Sequence, residues 1–548
     1  MWVSEILLPP GLRGELNVVR GADGWYATIQ SAESRFSVSG DSVRFAFPNE
    51  RQFRGRITNG GRTIDGFWIE PTKILGYPFA SPLTLRSAGA GAWRANVVPF
   101  EESYTLYILF WRNAAGVDVA TFRNPELNDT NEVFTFAVTR RADSVLFTAR
   151  PDSTRPEIRM AAGYDSIRKQ MTLFWPPQDR LMVLTPTTKE RALNLTPRVP
   201  QGLPYRYRVP VATDDGWKTA SSRAVGFDPA PLAAMIQSLS DTSPALRRFP
   251  AIHSILVARK GKLVLEEYFA GYDRDRTHDT RSAGKTFSSV MLGAVMLRGT
   301  KIGPESRIST YVPGPYANPD PRKERITLAN LMTHSSGLDC DDNGNTTGNE
   351  GKMQSQRAQT DYWKYMLDLP MANDPGRLYW YCSGGMNLMG AALTVATRTW
   401  LPDLFDRTIA RPLQFGRYYY NLAPNLAGYL GGGVFMRPRD LLKIGQLYLD
   451  RGVWNGRRVL SESWVATSTS KQFENDGYAW HLGNVKSGGR TYREYEANGN
   501  GGQLLMVLPE LDLAVVFTAG NYLDFGVWRM YRGDLLANVI IPAITRDQ

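Results

Sequence analysis

The first two hundred residues show the alternating apolar and polar pattern of short β-strands. Val43, Phe45 and Phe47 alternate with Arg44 and Ala46, and similar runs recur at regular short spacing with turn residues between them. Such spacing is typical of a sandwich or a closed barrel, and we favour an antiparallel, lipocalin-like barrel over residues 1–195. The predicted strands include 63–69, 104–110, 134–138 and 144–147.

The second part of the chain has a different pattern, in which helices lie between strands. The segment 196–224 is rich in proline and predicts a linker. A helix is expected from Pro231, a strand hairpin around Lys260-Gly261-Lys262, and a second hairpin at 503–508 and 513–517. Strands at both ends with helices between them indicate an α+β domain over 225–548, so we expect a multidomain protein.

Composition narrows the range of partners. Lysine and arginine together number 64 against 53 acidic residues, a net charge of +11, but the basic residues are dispersed, so no nucleic-acid partner is expected. No uncharged apolar run is long enough to predict a transmembrane segment. The N-terminus has neither the basic start nor the apolar core of a signal peptide. We therefore expect an exported protein in its mature form, with a cytoplasmic one as the alternative; the oligomeric state stays open.

The most informative motif is Ser282-Ala283-Gly284-Lys285. Ser-x-x-Lys also occurs at 166–169 and 468–471, so its context must decide. The run that follows Lys285 is apolar on nearly all sides and predicts a buried helix, on which residues i and i+3 share a face. Partial desolvation would lower the pKa of Lys285, so that the neutral amine could take the proton of Ser282 and create a nucleophile.

Two further segments that contain candidate site residues follow this motif along the chain. They are Pro375-Gly376, with Tyr381-Cys382-Ser383 five residues later, and Asn500-Gly501-Gly502 ahead of a predicted strand. Together with Ser282 and Lys285 they make residues 225–548 resemble the serine β-lactamase and penicillin-binding-protein superfamily, in its class C-like branch. That branch includes carboxylesterases and D-amino-acid peptidases. The resemblance implies a β-lactamase/transpeptidase-like fold.

The resemblance also implies roles for the site residues. Ser282 would form an acyl-enzyme, and Lys285 and Tyr381 would share the acid and base work. The backbone N–H groups of Ser282 and Gln503 would bind the oxyanion. The remaining predicted substrate-binding residues are Ser383, which stands where asparagine is commoner, Asn500, and Gly501 and Gly502, which allow close approach to the strand.

One departure from the family pattern bears on the substrate. The third motif usually begins with lysine or histidine, which can bind a substrate carboxylate, whereas here it begins with Asn500. A neutral amide cannot make that charge-assisted hydrogen bond, so a small neutral ester is the favoured substrate. A nearby arginine could replace the missing charge.

The two cysteines and one acidic loop raise separate questions. Cys340 and Cys382 flank site segments and could form a disulfide in an exported protein, or stay reduced in the cytoplasm. The segment Asp339–Glu350 has the spacing of a calcium-binding EF-hand loop, but Ser335-Ser336-Gly337 precedes it instead of a helix. We favour an acidic loop at the rim of the cleft. Neither cysteines nor histidines have metal-ligand spacing, so no metal and no cofactor are expected.

Three functions therefore remain open at this stage. The favoured one is a serine hydrolase of the carboxylesterase or lipase-like type. The second is a β-lactamase or D-amino-acid peptidase, and the third is a non-catalytic binding or sensor protein that retains an acylable serine. The presence of nucleophile, lysine and tyrosine together argues against the third.

Overall fold

The computed structural model describes residues 1–545 except 8–10, 49–50, 72–77, 90, 101–102, 128–134, 151–153, 155, 189–190, 193, 197–203 and 247–248. Of the sequence-based segments, the first residue of the predicted strand 134–138 and part of the predicted linker lie outside these residues. Within the described residues, no helix combines the length and apolar character needed to cross a membrane.

The N-terminal part is built from antiparallel strands. They are β1 (Trp2–Leu7), β2 (Gly14–Arg20), β3 (Trp25–Ile29), β4 (Ala32–Phe36), β5 (Val38–Ser39), β6 (Ser42–Ala46), β7 (Gln52–Thr58), β8 (Thr63–Glu70), β9 (Phe79–Gly89), β10 (Ala92–Val97), β11 (Ser103–Arg112), β12 (Asp118–Arg123), β13 (Thr135–Arg140), β14 (Ser144–Ala149), β15 (Ile158–Asp165), β16 (Gln170–Trp175) and β17 (Arg180–Pro186).

The predicted antiparallel barrel is confirmed. β1 and β11 to β17 close into an eight-stranded barrel, in which β1 pairs with both β11 and β17. The alternation of side chains along β16 shows how the interior of the barrel is filled. Met171, Leu173 and Trp175 point inward, whereas Phe174 is exposed. Trp175 stacks on Phe122 inside the barrel at 5.7 Å between ring centroids. The interior is therefore a packed aromatic core.

The strands between β1 and β11 do not join this barrel. They form a separate sheet in the order β4-β3-β2-β10-β9-β8-β7-β6-β5. Its two outermost strands, β4 and β5, are separated only by Ser37, and Phe36 packs against Phe45 at 4.9 Å across the apolar interior. Alternation tells which face of each strand is buried but not which strand it pairs with, so the pattern did not separate the two sheets.

The C-terminal part contains further strands and the helices. The strands are β18 (Lys218–Thr219), β19 (Ile252–Arg259), β20 (Lys262–Tyr268), β21 (His278–Asp279), β22 (Tyr419–Asn421), β23 (Val434–Met436), β24 (Val453–Trp454), β25 (Arg457–Arg458), β26 (His481–Ser487), β27 (Arg490–Gly499), β28 (Gln503–Leu508) and β29 (Leu513–Ala519). The α-helices are α1 (Pro229–Ser240), α2 (Thr286–Leu297), α3 (Leu328–Met332), α4 (Glu350–Ser355), α5 (Tyr362–Asp368), α6 (Ser383–Thr397), α7 (Leu401–Phe405), α8 (Pro438–Leu449), α9 (Glu462–Ser468) and α10 (Phe525–Trp528). Tighter or wider helical turns occur at Arg281–Lys285 (3₁₀), Asp406–Ala410 (π) and Tyr531–Ile540 (π), among others.

The predicted α+β domain is confirmed as a seven-stranded sheet covered by helices. Its order is β18-β20-β19-β29-β28-β27-β26, and it includes both predicted hairpins. One face packs against α8, where Gly445 allows close contact with Leu505 and Ala514, and the other packs against α1 and the C-terminal π-helix. β18 arises from within the predicted linker and adds a parallel edge strand to β20.

The two parts of the chain share a sheet. β9 of the N-terminal part pairs with β22, β22 pairs with β23, and β23 pairs with β21, the short strand just ahead of Ser282. Aromatic side chains from both parts pack together beside this shared sheet, with ring centroids 4.5–5.4 Å apart. They are Phe79, Phe100, Tyr419 and Phe435. The N-terminal part therefore supports the strand that leads to the site.

Candidate active site

Ser282 lies in a 3₁₀ turn, Arg281–Lys285, that leads directly into the buried helix α2. The turn is held by its neighbour β23, because Thr280 N donates to Val434 O and Gly433 N donates to Arg281 O, both at 3.1 Å. A side chain at position 432 would meet the Arg281 carbonyl and Ser282 Cα, and Gly432 has a φ of 133°. Glycine is thus required where this strand passes the turn.

Lys285 contacts both Ser282 and Tyr381. Its Nζ donates a hydrogen bond to Ser282 Oγ at 2.9 Å and lies 4.9 Å from the centroid of the Tyr381 ring. Lys285 is buried, at 4% exposure, so this ammonium has little water around it. The structure therefore brings together the three residues that the sequence proposed for the chemical step.

The charge of Lys285 differs from the expectation. Burial alone disfavours the ammonium, but the phenolic oxygen of Tyr381 and the carboxylates of Glu350 and Asp342 outweigh it and raise the pKa of Lys285 above its ordinary value. The expected neutral amine is thus incorrect for the free site. Lys285 is a cation that donates to Ser282 Oγ and stabilises negative charge there.

Tyr381 is positioned by hydrogen bonds from two loops. Trp380 N donates to the carbonyl of His334 at 2.8 Å, and the Tyr381 carbonyl accepts from Asp342 N at 2.7 Å. The next residue, Cys382, donates its N–H to His334 Nδ1 at 3.2 Å. The rings of Tyr381 and His334 pack at 4.6 Å. The residues before and after Tyr381 are therefore both held in place by hydrogen bonds.

The disulfide that the sequence allowed is present. Cys340 and Cys382 are joined across a separation of 42 residues, with their Cα atoms 5.4 Å apart. Cys382 also begins α6, because its Sγ accepts from Gly385 N at 3.1 Å. The bridge ties the acidic loop to the residue after Tyr381.

Carboxylates of the acidic loop Asp339–Glu350 accept protein hydrogen bonds. Asp342 accepts from Glu350 N at 2.8 Å and from Ser383 N at 2.7 Å, and Glu350 accepts from the Tyr429 hydroxyl. Across the described part of the chain, no three His, Cys, Asp or Glu side chains come together as metal ligands. The loop orients α4 and α6 beside Lys285.

The predicted substrate-binding residues lie at two places. Ser383 is fully buried at the start of α6, and its Oγ has no hydrogen-bond partner among the residues that the structure describes. Asn500, Gly501 and Gly502 form the turn between β27 and β28, where Asn500 Oδ1 accepts from Leu523 N at 2.8 Å. The Gln503 side chain is buried and bonds the backbone of Ala519. The oxyanion role of the Gln503 N–H stays a prediction.

The strand end nearest Ser282 is Gly499, one residue before the predicted motif. A side chain at Gly499 would meet the carbonyl of Thr280 and the N–H of Ala283, so β27 passes directly against the nucleophile turn at this residue. Asn498, its neighbour, lines the cavity together with Ser282, and Asn498 Nδ2 donates to Glu496 Oε1 at 2.7 Å. Asn498 and Gly499 therefore face the site more directly than Asn500.

Sequence reasoning missed two histidines in the same cavity. This cavity, about 280 Å³ with its open mouth, has Ser282 and Lys285 in its wall beside His334, Asp476 and His481; the remaining lining residues are Thr286, Met332, Met386, Ala479, Trp480, Ala497 and Asn498. His334 follows α3 and lies outside the three motifs that carry the family resemblance. Asp476 lies in the irregular loop before β26, and His481 is the first residue of that strand, so neither periodicity nor motif spacing predicts their contact.

The two histidines have opposite electrostatic environments. Burial, together with the nearby charge of Lys285, lowers the pKa of His334 well below its ordinary value, so its ring is neutral. Burial opposes the charge of His481 too, but the Asp476 carboxylate, which bonds its Nδ1 at 2.8 Å, and Glu496 raise its pKa above the ordinary value. The cavity thus contains one neutral and one readily protonated imidazole.

A serine that accepts a hydrogen bond from a buried lysine, beside a tyrosine, at the head of a buried helix defines a serine hydrolase site that works without a Ser–His pair. The Beta-lactamase family model matches residues 246–531, just over half of the chain. The chain belongs to this family, whose β-lactamase and penicillin-binding-protein members share this fold.

Known relatives are distant. The chain is 23% identical over 256 residues to 6-aminohexanoate-dimer hydrolase of Paenarthrobacter ureafaciens, covering 45% of this chain and 65% of that protein. It is 27% identical over 186 residues to D-alanyl-D-alanine-carboxypeptidase/endopeptidase AmpH of Escherichia coli K12, covering 31% and 48%. The chain thus spans between about half and two thirds of the length of these relatives. A solved mutant of simvastatin synthase from Aspergillus terreus aligns at 16% identity and a TM-score of 0.45 over 57% of this chain and 97% of that one.

Proposed function

We propose that this serine hydrolase cleaves small, neutral carboxylic esters through an acyl-enzyme on Ser282. The observation that carries the proposal is the hydrogen bond of 2.9 Å from Lys285 Nζ to Ser282 Oγ, because both residues line the active-site cavity. Ser282 Oγ attacks the ester carbonyl carbon, and the alcohol leaves with a proton. Because Lys285 is already an ammonium, we propose that the Ser282 proton passes to the Tyr381 phenol oxygen while Tyr381 gives its own hydroxyl proton to the oxygen of the leaving alcohol.

The oxyanion of the tetrahedral intermediate needs two donors near Ser282. The Ser282 N–H is the first. Gly499 lies against the nucleophile turn, so we propose the N–H of Asn500, the residue directly after β27, as the second donor, with the Gln503 N–H as the alternative from the sequence. Replacement of Asn500 by proline removes this N–H, whereas Asn500→Ala keeps it; only the proline variant should lose turnover.

Charge in the cavity supports a neutral substrate. The strand residues that face Ser282, Ala497 and Asn498, are uncharged. Among the residues that line the described cavity, Lys285 is engaged with Ser282, and the charge of protonated His481 is balanced by Asp476. The nearby Arg532 bonds Glu496. A substrate carboxylate would find no unbalanced cation at these positions, so an uncharged ester fits better.

Amide hydrolysis is the second candidate. It is favoured by the names of the two curated relatives, one a dimer hydrolase and the other a carboxypeptidase/endopeptidase. A β-lactam is the cyclic amide of the same class. An acyl-enzyme on Ser282 serves each of these substrates, which differ in the leaving group and in the need for a carboxylate site.

The test compares p-nitrophenyl butyrate, nitrocefin and a D-alanyl-D-alanine peptide as substrates of the wild type and of Ser282→Ala. We expect the ester to have the highest kcat/KM and Ser282→Ala to abolish its cleavage. Faster cleavage of nitrocefin or the peptide would replace the ester proposal with the amide one. Cleavage that survives in Ser282→Ala would overturn both.

We also infer that the protein functions in an oxidising compartment. The Cys340–Cys382 disulfide supports export, since structural disulfides persist mainly outside the cytoplasm. Mass spectrometry of the protein alkylated in intact cells provides the test. Two alkylated cysteines would argue for the cytoplasmic alternative.

A further inference from the structure

The wall of the active-site cavity contains a histidine–carboxylate pair that the Ser282, Lys285 and Tyr381 chemistry does not use. His481 Nδ1 donates to Asp476 Oδ1 at 2.8 Å; Asp476 is buried, whereas about a third of the His481 side chain is exposed. This bond occupies Nδ1 and leaves Nε2 as the proton-accepting atom of the neutral ring. A carboxylate that fixes the tautomer in this way is the usual support of a histidine base.

The loop that carries Asp476 and leads into His481, the first residue of β26, is fixed to the helices of the site. The Ala479 carbonyl accepts from Thr286 Oγ1 at 2.8 Å, and Ala479 N donates to the Met332 carbonyl at 3.0 Å. Thr286 is the residue directly after Lys285. Tyr379, two residues before Tyr381, also interacts with the Asp476 carboxylate, which raises the pKa of Tyr379 after the larger effect of burial. These hydrogen bonds of Ala479 fix the segment that leads to His481 against the residue next to Lys285.

The other titratable groups of the cavity are poor acceptors for a proton from water. Lys285 is an ammonium and donates to Ser282 Oγ. His334 accepts the Cys382 N–H at Nδ1, so its hydrogen lies on Nε2 and its open side is a donor. Asp476 is buried and bonded to His481. Among the residues that line the described cavity, His481 Nε2 is left to accept a proton.

We propose that His481, oriented by Asp476, is the general base of deacylation. This inference rests on the proposed acyl-enzyme. His481 Nε2 takes a proton from a water molecule, whose oxygen forms a bond to the acyl carbonyl carbon. The tetrahedral intermediate then collapses, and the bond between the acyl carbon and Ser282 Oγ breaks. Lys285 gives a proton to Ser282 Oγ, and the proton on His481 returns to Lys285 through water as the carboxylic acid leaves.

The charges around His481 set its pH dependence. It faces Asp476 on the loop before β26, Glu496 opposite it on β27, Arg532 from the C-terminal π-helix, and the neutral His334 across the cavity. The net effect favours the protonated ring. A base must be unprotonated, so the deacylation rate should fall with decreasing pH from a point above the ordinary histidine pKa.

The experiment measures acylation and deacylation separately in stopped flow with p-nitrophenyl butyrate, for the wild type and for His481→Gln. We expect the variant to release one equivalent of nitrophenol in a burst at the wild-type rate and then turn over about 10² to 10⁴ times more slowly, the usual contribution of a general base. Intact mass spectrometry should show butyryl groups accumulating on Ser282. Hydroxylamine, which needs no base to attack an ester, should restore turnover of the variant.

The control is Lys486→Gln, which removes an exposed cation from the same strand β26 and should behave as the wild type. A His481→Gln variant with wild-type turnover would overturn the inference, as would one whose loss lies in the burst phase. If neither protein acylates Ser282 with the ester or with a fluorophosphonate, the proposed function itself fails, and the inference with it. Acylation by the fluorophosphonate without a deacylation defect in the variant rejects the His481 role alone.

Discussion

The charge of a single side chain decides how the site works. Lys285 remains protonated because Tyr381, Glu350 and Asp342 favour its ammonium more strongly than burial disfavours it. A cation 2.9 Å from Ser282 Oγ lowers the energy of the alkoxide that attacks the substrate. Lys285 is therefore an electrostatic partner of Ser282, and the base in acylation must be another group.

Replacement of Lys285 by methionine tests the electrostatic role of Lys285. Methionine keeps most of the apolar volume but removes the charge, so kcat/KM for p-nitrophenyl butyrate should fall by about 10³ while the fold stays intact by circular dichroism. The matched control is Lys471→Met, in the exposed copy of the Ser-x-x-Lys motif, which should leave the rate unchanged. Equal losses in both variants would show that the effect is not specific to the site.

Tyr381 was placed in the site only by the family resemblance. Motif spacing was sufficient to predict that Ser282 and Lys285 meet, because this pair is one helical turn apart. It was not sufficient for the charge of Lys285, which depends on carboxylates from a loop 57 to 65 residues away. The same holds for His481, since its contact with Asp476 depends on an irregular loop, which has no period from which to infer the direction of a side chain.

At the scale of elements, the acidic loop 339–350 serves as a scaffold for Tyr381. Asp342 accepts from Ser383 N and Glu350 N, and its own N–H binds the Tyr381 carbonyl. These contacts join α4, α6 and the tyrosine segment through one residue. The loop resembles an EF-hand in sequence because it contains several short acidic side chains. Here Asp342 uses such a side chain to accept hydrogen bonds from backbone N–H groups.

Replacement of Asp342 by alanine should therefore lower both stability and activity. It leaves two backbone donors unpaired, which is expected to reduce the free energy of unfolding by about 1–3 kcal/mol, and it removes an anion near Lys285. Urea denaturation and ester hydrolysis measure the two effects. Asp341→Ala, whose carboxylate bonds the exposed Asn343 N, is the control and should show a smaller loss.

The Cys340–Cys382 disulfide closes the same region. In the loop-entropy model, a bridge across 42 residues stabilises the fold by about 4 kcal/mol. The Cys340→Ala/Cys382→Ala variant should therefore unfold at a lower denaturant concentration, and activity should fall because Cys382 follows Tyr381. These are the two cysteines of the chain, so a reducing agent should affect the wild type and not the variant. Unfolding midpoints that coincide would contradict the prediction.

Elements with clear local signals were predicted well, whereas their pairing was not. The hairpin around Lys260-Gly261-Lys262 joins β19 and β20, and the C-terminal hairpin joins β28 and β29. In contrast, the separation of β2–β10 from the barrel depends on contacts between strands that are far apart in sequence. Alternation specifies a buried face, and many pairings satisfy that requirement.

At the scale of the whole molecule, the N-terminal part is bound to the catalytic domain at two places beside the strand that leads to Ser282. One is the shared sheet from β9 through β22 and β23 to β21. The other is a buried histidine pair: His253 Nδ1 and His278 Nε2 lie 2.6 Å apart, and His253 Nε2 donates to the carbonyl of Pro125, after β12. A role of the N-terminal part in supporting the site is consistent with both.

The histidine pair should make this association sensitive to acid. Burial lowers the pKa of His278 to about 4 and that of His253 well below its ordinary value, which is about 6.5 in an unfolded chain. Between these values the unfolded chain binds more protons than the folded one, so stability is complete above about pH 6.5 and decreases as the pH falls toward 4. Urea midpoints of the wild type measured from pH 7 to pH 4 should follow this course. In His253→Gln/His278→Gln the carboxylates titrate as before but the imidazoles are absent, so the midpoint should change less with pH; equal pH dependence in both proteins would refute the assignment.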